Sequence, residues 1–257
     1  MISAQPVVCI HNLSLAFRGM PVLEDIHLEL DAGDFVGIIG PNGGGKSVLL
    51  KVILGLLKPD RGRVEIFGRP PQLAHGRVAY VPQVPGFDPA VPMTVLEMVL
   101  MGRLAARGVL RRYEADDRRS ATDALAAVHA EHLATRLVGR LSGGQLQRVL
   151  IARALAVGAE LILLDEPAAS LDPQSAAALY EQLAGLSPPI TLILVSHDLA
   201  VISRHVRSVA CLNRRLHYHH SREISREMVE ATYGCEVDFL VHQHTHRVLA
   251  DHTGDEN

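Results

Sequence analysis

Tryptophan is absent from this sequence, and aromatic residues make up only 4% of it. With 48% hydrophobic and 21% charged residues, the chain still falls in the ordinary globular class rather than the disordered or fibrous ones. An excess of basic charge is also missing. The formal net charge is -3, and the Arg residues are interleaved with Asp and Glu, which argues against a nucleic-acid partner that would need a basic face to displace counterions. No apolar run reaches the roughly 18 to 20 residues of a membrane span. The most apolar segment, Val149 to Leu164, is broken by Arg153 and Glu160. The stretch Met1-Ile2-Ser3-Ala4-Gln5-Pro6 carries neither a basic region nor an apolar one, so nothing marks the chain for export and a cytoplasmic location is expected. Cysteine is scarce as well. Cys9, Cys211 and Cys235 are odd in number and scattered, neither a disulfide framework nor a CxxC zinc knuckle. Buried thiols are the expectation for Cys9 and Cys211.

What is present has the order of an α/β domain. From Val7 to Leu30 apolar and polar residues largely alternate around a break at Arg18-Gly19-Met20-Pro21, as in two antiparallel strands. Phe35 to Ile39 reads as a short buried strand, followed by a glycine-rich turn and a helical pattern from Lys46 to Leu57. Gly62 to Gly68 offers another strand. Leu161 to Leu164 and Thr191 to Val195 are continuous apolar runs, expected where parallel strands are covered on both faces. Between them the Pro- and Gly-rich stretch 82–92 opens a helical segment, with capping-box spacing at Thr94 and Glu97 and an Ala- and Leu-rich pattern from Thr122 to Leu137. The expected organisation is a core of residues 1–83 and 146–212, an inserted helical subdomain at 84–145, and a His-rich extension at 213–257.

Gly40-Pro41-Asn42-Gly43-Gly44-Gly45-Lys46-Ser47 fits G-x-x-x-x-G-K-[ST] and lies between a predicted strand and a predicted helix. Glycines let the backbone wrap until its N–H groups face phosphate oxygens, and the following helix adds its positive end. Lys46 supplies a point charge to the β and γ phosphates, and Ser47 a hydroxyl to magnesium. Open α/β sheets bind ligands beyond the carboxyl ends of their strands. Asp165 and Glu166 follow the run Leu161 to Leu164 at such an end, the first suited to holding magnesium and the second to polarising an attacking water.

Leu141-Ser142-Gly143-Gly144-Gln145, followed by Gln147-Arg148, resembles the signature of ATP-binding cassette (ABC) ATPases. Ser142 and two glycines open a predicted helix from Gln145 to Val157, a second anion-binding helix terminus. The resemblance covers roughly Val7 to Leu212 and implies a P-loop NTPase core with an antiparallel β subdomain and an inserted helical subdomain. It implies a magnesium-ATPase in which two copies pack head to tail, each signature closing on the other's ATP. By the same resemblance Phe17 stacks on adenine. Gln83 is the glutamine that reaches magnesium and the attacking water and reports to a permease. Ser170-Leu171-Asp172 lies at the dimer seam, and His197 contacts the γ-phosphate. Val48 stands where Thr is usual, its side chain expected in the core.

A narrower likeness ties Val81-Pro82-Gln83, Val91 to Val95 and Val99-Leu100-Met101-Gly102-Arg103 to the cassettes of zinc, manganese and iron importers. It implies integral membrane permease partners, an extracytoplasmic metal-binding protein that delivers the ion, and a place at the cytoplasmic face of the membrane. Permease docking is expected between Gln83 and Arg103, with Met98 and Met101 as exposed contacts. The rivals are a cassette for iron chelates or another small nutrient, a soluble cassette protein, and a metal-sensing module. The last rests on the C-terminal histidines. Phe239 to Leu249 reads as a strand, so His242, His244 and His246 share one face and form a candidate transition-metal site.

Overall fold

The structure, a computed structural model, describes residues 5–83, 86, 88, 90–104, 112–186, 189–197, 205–219 and 232. Strands β1 (Val8–Phe17) and β2 (Met20–Leu30) form the expected antiparallel hairpin. With β4 (Arg61–Ile66) they make a three-stranded sheet of order β2-β1-β4. In the second sheet β3 (Phe35–Ile39), β5 (Val78–Val81), β6 (Leu161–Asp165), β7 (Thr191–Ser196) and β8 (Ser208–Asn213) pair in parallel, and β9 (Arg215–His219) closes one edge antiparallel to β8, in the order β5-β6-β7-β3-β8-β9.

The apolar runs are continuous because both faces of this sheet are covered. Ile162 and Leu164 point to one core, with helices α2 (Val95–Leu100), α3 (Ala115–Ala127), α4 (Gly143–Ala156) and α5 (Pro173–Leu186). Leu161 and Leu163 point to the other, with the three-stranded sheet and helix α1 (Lys46–Ile53). The period of two along a strand thus divides one apolar sequence between two cores.

Several boundaries differ from the sequence expectation. Helix α1 stops at Ile53 rather than Leu57, because Gly55 adopts φ 72° and the N–H groups of Gly55 and Leu56 bond the carbonyls of Val52 and Lys51, a Schellman closure. The helix expected from Thr122 to Leu137 instead begins at Ala115 and ends at Ala127, where His129 turns left-handed at φ 53° and short 3-10 turns follow. The division placed after Leu212 cuts the β8–β9 hairpin, in which Cys211 faces His217, so the core continues through His219. Met98 is 1% exposed and belongs to the core, whereas Met101 is on the surface. Cys211 is buried, but Cys9 is only half-buried. The strand expected at 239–249, with His242, His244 and His246, lies outside the described residues.

Candidate functional site

The glycine-rich loop joins β3 to α1. Gly40 passes so close to β8 that a Cβ there would lie 1.9 Å from the Leu212 carbonyl oxygen. Gly45, at φ 98°, caps α1 in a conformation that a side chain rarely adopts. Lys46 is buried, and its Nζ donates to the carbonyls of Gly40 at 2.8 Å and Pro41 at 3.0 Å. Burial lowers the pKa of this ammonium, while the carboxylates of Glu166 and Asp165 oppose that shift.

Asp165, at the end of β6, accepts from two sides. Ser47 Oγ donates to its Oδ1 at 3.1 Å, and the Tyr80 hydroxyl to its Oδ2 at 3.1 Å. Burial and the Asp165 charge both raise the Tyr80 pKa, so its hydroxyl stays a donor. Glu166 comes next at φ 50°, an unusual conformation for a residue with a side chain, with its N–H fixed on the Val195 carbonyl at 2.9 Å. His197, just past β7, places Nδ1 2.7 Å from Glu166 Oε2, within hydrogen-bond distance. The sheet therefore delivers three polar groups to one rim because β6 and β7 are adjacent and parallel.

A cleft of about 270 Å³ unites Asn42, Lys46, Ser47, Gln83, Asp165 and Glu166. Val48 also borders this cleft; it is half-buried and packs against the core of the three-stranded sheet and α1, as expected. Phe17 is not a core residue: it ends β1 opposite Met20 and is 44% exposed.

The second glycine motif lies apart. Ser142 caps α4, its Oγ accepting from the Gln145 N–H while the Gln145 side chain accepts from the Ser142 N–H. Ser142, Gly144, Gln145 and Arg148 line a different cleft that shares no residue with the first. Leu171 borders it, and a Cβ on Gly143 or Gly144 would touch Ser170 or Leu171.

The family model described as ABC transporter matches residues 23–169. The chain belongs to this family. It is 37% identical over 228 residues to the manganese transport system ATP-binding protein MntB of Listeria innocua, covering 88% of this chain and 95% of that one. It is 38% identical over 215 residues to the zinc uptake system ATP-binding protein ZurA of the same organism, covering 82% of this chain and 84% of that one. Among solved structures it is similar to the dimeric post-hydrolysis state of the ATP-binding cassette MJ0796 bound to ADP and phosphate. That likeness has a TM-score of 0.72 and 27% identity, over 84% of this chain and all of the other. This ABC chain is thus a nucleotide-binding ATPase cassette coupled to transport, with no helix among the described residues long and apolar enough to cross a membrane. Tyr80 is the polar neighbour that sequence reasoning passed over as a site residue. Its only signal was a polar aromatic on a strand beside the one that ends in Asp165.

Proposed function

We propose that this cassette works as a pair of identical copies at the cytoplasmic face of a membrane, where ATP hydrolysis drives import of a divalent transition metal, zinc or manganese, through permease subunits. An extracytoplasmic protein delivers the ion. One observation carries the paired arrangement: within one copy the Lys46 cradle and the Ser142 cradle open into separate clefts. A nucleotide in the first therefore meets a signature helix only if a second copy presents it. The cargo follows from the manganese and zinc systems to which the relatives belong.

The donor set fits magnesium. Ser47 Oγ and Asp165 Oδ1 are 3.1 Å apart, close to the edge of about 2.9 Å that follows from octahedral bonds of 2.0 to 2.1 Å. Gln83 adds an amide to the same cleft. When bound there, the ion offsets the charge of the β and γ phosphates. The protein's own groups do the rest. Lys46 passes from the loop carbonyls to the phosphates, while Phe17 offers its exposed ring to the base and the N-termini of α1 and of the partner's α4 face the phosphate chain. Glu166, oriented by His197, takes the proton of the water that attacks the γ-phosphorus in line, and ADP departs.

Glu166→Gln tests the reaction. It should bind ATP and accumulate as a nucleotide-bound dimer, with turnover reduced by roughly a hundredfold or more. Turnover within about tenfold of the natural protein would remove Glu166 from the chemistry. Proteoliposomes holding the cassette and its permease test the cargo. ATP-dependent uptake of zinc or manganese is expected, and uptake of an iron chelate alone would overturn the metal-ion assignment.

A further inference from the structure

Strand β1 alternates strictly between the core and the outside at its start: Val8 and Ile10 are buried, whereas Cys9 and His11 face outward. A period of two sets this pattern, and it places a thiol and an imidazole side by side on one sheet face. Cys9 Sγ lies 3.0 Å from His11 Nε2. The neighbouring strands add charge to the same place. Cys9 is directly opposite Glu29 on β2 and Glu65 on β4, and directly opposed residues share a face. Glu29 Oε1 reaches to 3.5 Å from His11 Nε2. The ligand atoms of Cys9, His11 and Glu29 all lie within 4.8 Å of one another, and they form the one such group of three among the described residues.

We propose that Cys9, His11 and Glu29 form a binding site for a divalent transition metal of the zinc class on the outer face of the antiparallel sheet. Tetrahedral bonds of about 2.3 Å to sulfur and 2.0 to 2.2 Å to nitrogen and oxygen require donors roughly 3.3 to 3.6 Å apart. The observed 3.5 Å between His11 and Glu29 falls within that range, and the 3.0 Å between Cys9 and His11 lies a few tenths of an ångström below it, so small side-chain rotations suffice. The donor chemistry selects the ion. A thiolate with an imidazole favours zinc, cobalt, nickel or copper and disfavours magnesium, calcium and manganese, which prefer oxygen. Three protein ligands leave a fourth position for water or for one more neighbour. His27, whose ring centre is 6.3 Å from that of His11, and Glu65, directly opposite Cys9 on β4, border the group but are engaged by Asp25 and Arg63.

The surroundings agree with a cation rather than a thiolate alone. Burial and the charges of Glu29 and Glu65 raise the Cys9 pKa, against an opposing contribution from Arg63. The metal-free thiol therefore keeps its proton near neutrality, and binding releases that proton to solvent as the sulfur–metal bond forms. This site is remote in sequence from Lys46, Asp165 and Glu166. It does not depend on the nucleotide mechanism or on the cargo assigned above.

Cobalt(II) is the probe, because a thiolate ligand gives it a sulfur-to-metal charge-transfer absorption that nitrogen and oxygen donors do not. Titration of the full chain should produce this band with one ion per chain, and zinc should displace it. Cys9→Ser should abolish the band while leaving circular dichroism and ATP binding unchanged. His11→Ala and Glu29→Gln should weaken affinity by more than the roughly 10- to 100-fold that loss of an outer-shell partner costs. Cys235→Ser and the triple change of His242, His244 and His246 to Ala should retain the band. No band in the natural chain, a band that survives Cys9→Ser, or one lost only with Cys235→Ser would each overturn the site and leave Cys9 and His11 as a hydrogen-bonded surface pair.

Discussion

Asp165 illustrates how much of a site is decided by single contacts. Two hydroxyls hold its carboxylate, Ser47 from the phosphate loop and Tyr80 from the neighbouring strand. Ser47 was legible from the sequence because loop chemistry fixes it one position after Lys46. Tyr80 was not, since its partner is 85 residues away and only the pairing of β5 with β6 brings them together. A hydrogen bond to a charged group is worth about 1.5 to 3 kcal/mol. Tyr80→Phe should therefore lower kcat by roughly tenfold and raise the magnesium concentration needed for half-maximal activity, with little change in KM for ATP. A magnesium titration of ATPase activity checks this, and an unchanged magnesium requirement would show that Ser47 positions Asp165 unaided. Cys9 is the opposite lesson. Counting cysteines suggested a buried thiol, whereas the local alternation, Val8 and Ile10 inward, already placed Cys9 outward.

At the scale of elements, caps were the most legible feature. Thr94 and Glu97 form the expected capping box at α2, and Ser142 with Gln145 forms another at α4. The first was read from four residues alone; the second was read only as a helix opening, without the Ser142–Gln145 pair. The ends of α1 and α3 were harder, because Gly55 and His129 act through a left-handed φ that composition alone does not announce. The joint between α2, α3 and α4 was not legible at all. Arg103 Nε meets Asp117 Oδ1 at 3.0 Å, its Nη1 donates to the Ala156 carbonyl at 3.0 Å, and Asp117 is fully buried. Removing one member of such a pair costs on the order of 3 to 5 kcal/mol, because the remaining charge stays in a low-dielectric site. Arg103→Ala should lower stability by on the order of 3 kcal/mol in urea unfolding while leaving the phosphate loop intact. A loss under about 1 kcal/mol would mean that the carboxylate reaches solvent or another cation when the guanidinium is gone.

The whole molecule turns a local sequence pattern into two working surfaces. Parallel pairing collects the ends of β3, β6 and β7 at the nucleotide rim, which is why motifs more than 100 residues apart could be assigned to one chemistry. The proposed permease face was read less well. Met98 and Met101 were treated alike, but α2 carries Met98 into the core and leaves Met101 44% exposed at its end. There Met101 lines a groove with Val78, Tyr80, Gly102, Arg153 and Ala154. Gly102 lets the helix end approach α4, since a Cβ would lie 2.4 Å from the Arg153 carbonyl oxygen. Tyr80 borders this groove and its hydroxyl also bonds Asp165, so one residue adjoins both the proposed docking surface and the proposed magnesium ligand. Met101→Glu places a charge where an apolar permease segment is expected to sit. It should cut ATP-driven metal uptake by at least about tenfold, as unpaired burial of a carboxylate costs well over the 1.4 kcal/mol of one decade. ATPase activity of the isolated cassette should stay within about twofold, in line with the small effects of exposed substitutions. Uptake measured beside basal ATPase separates the cases: retained uptake would move the permease contact elsewhere, whereas loss of both activities together would show that Met101 supports the cassette itself.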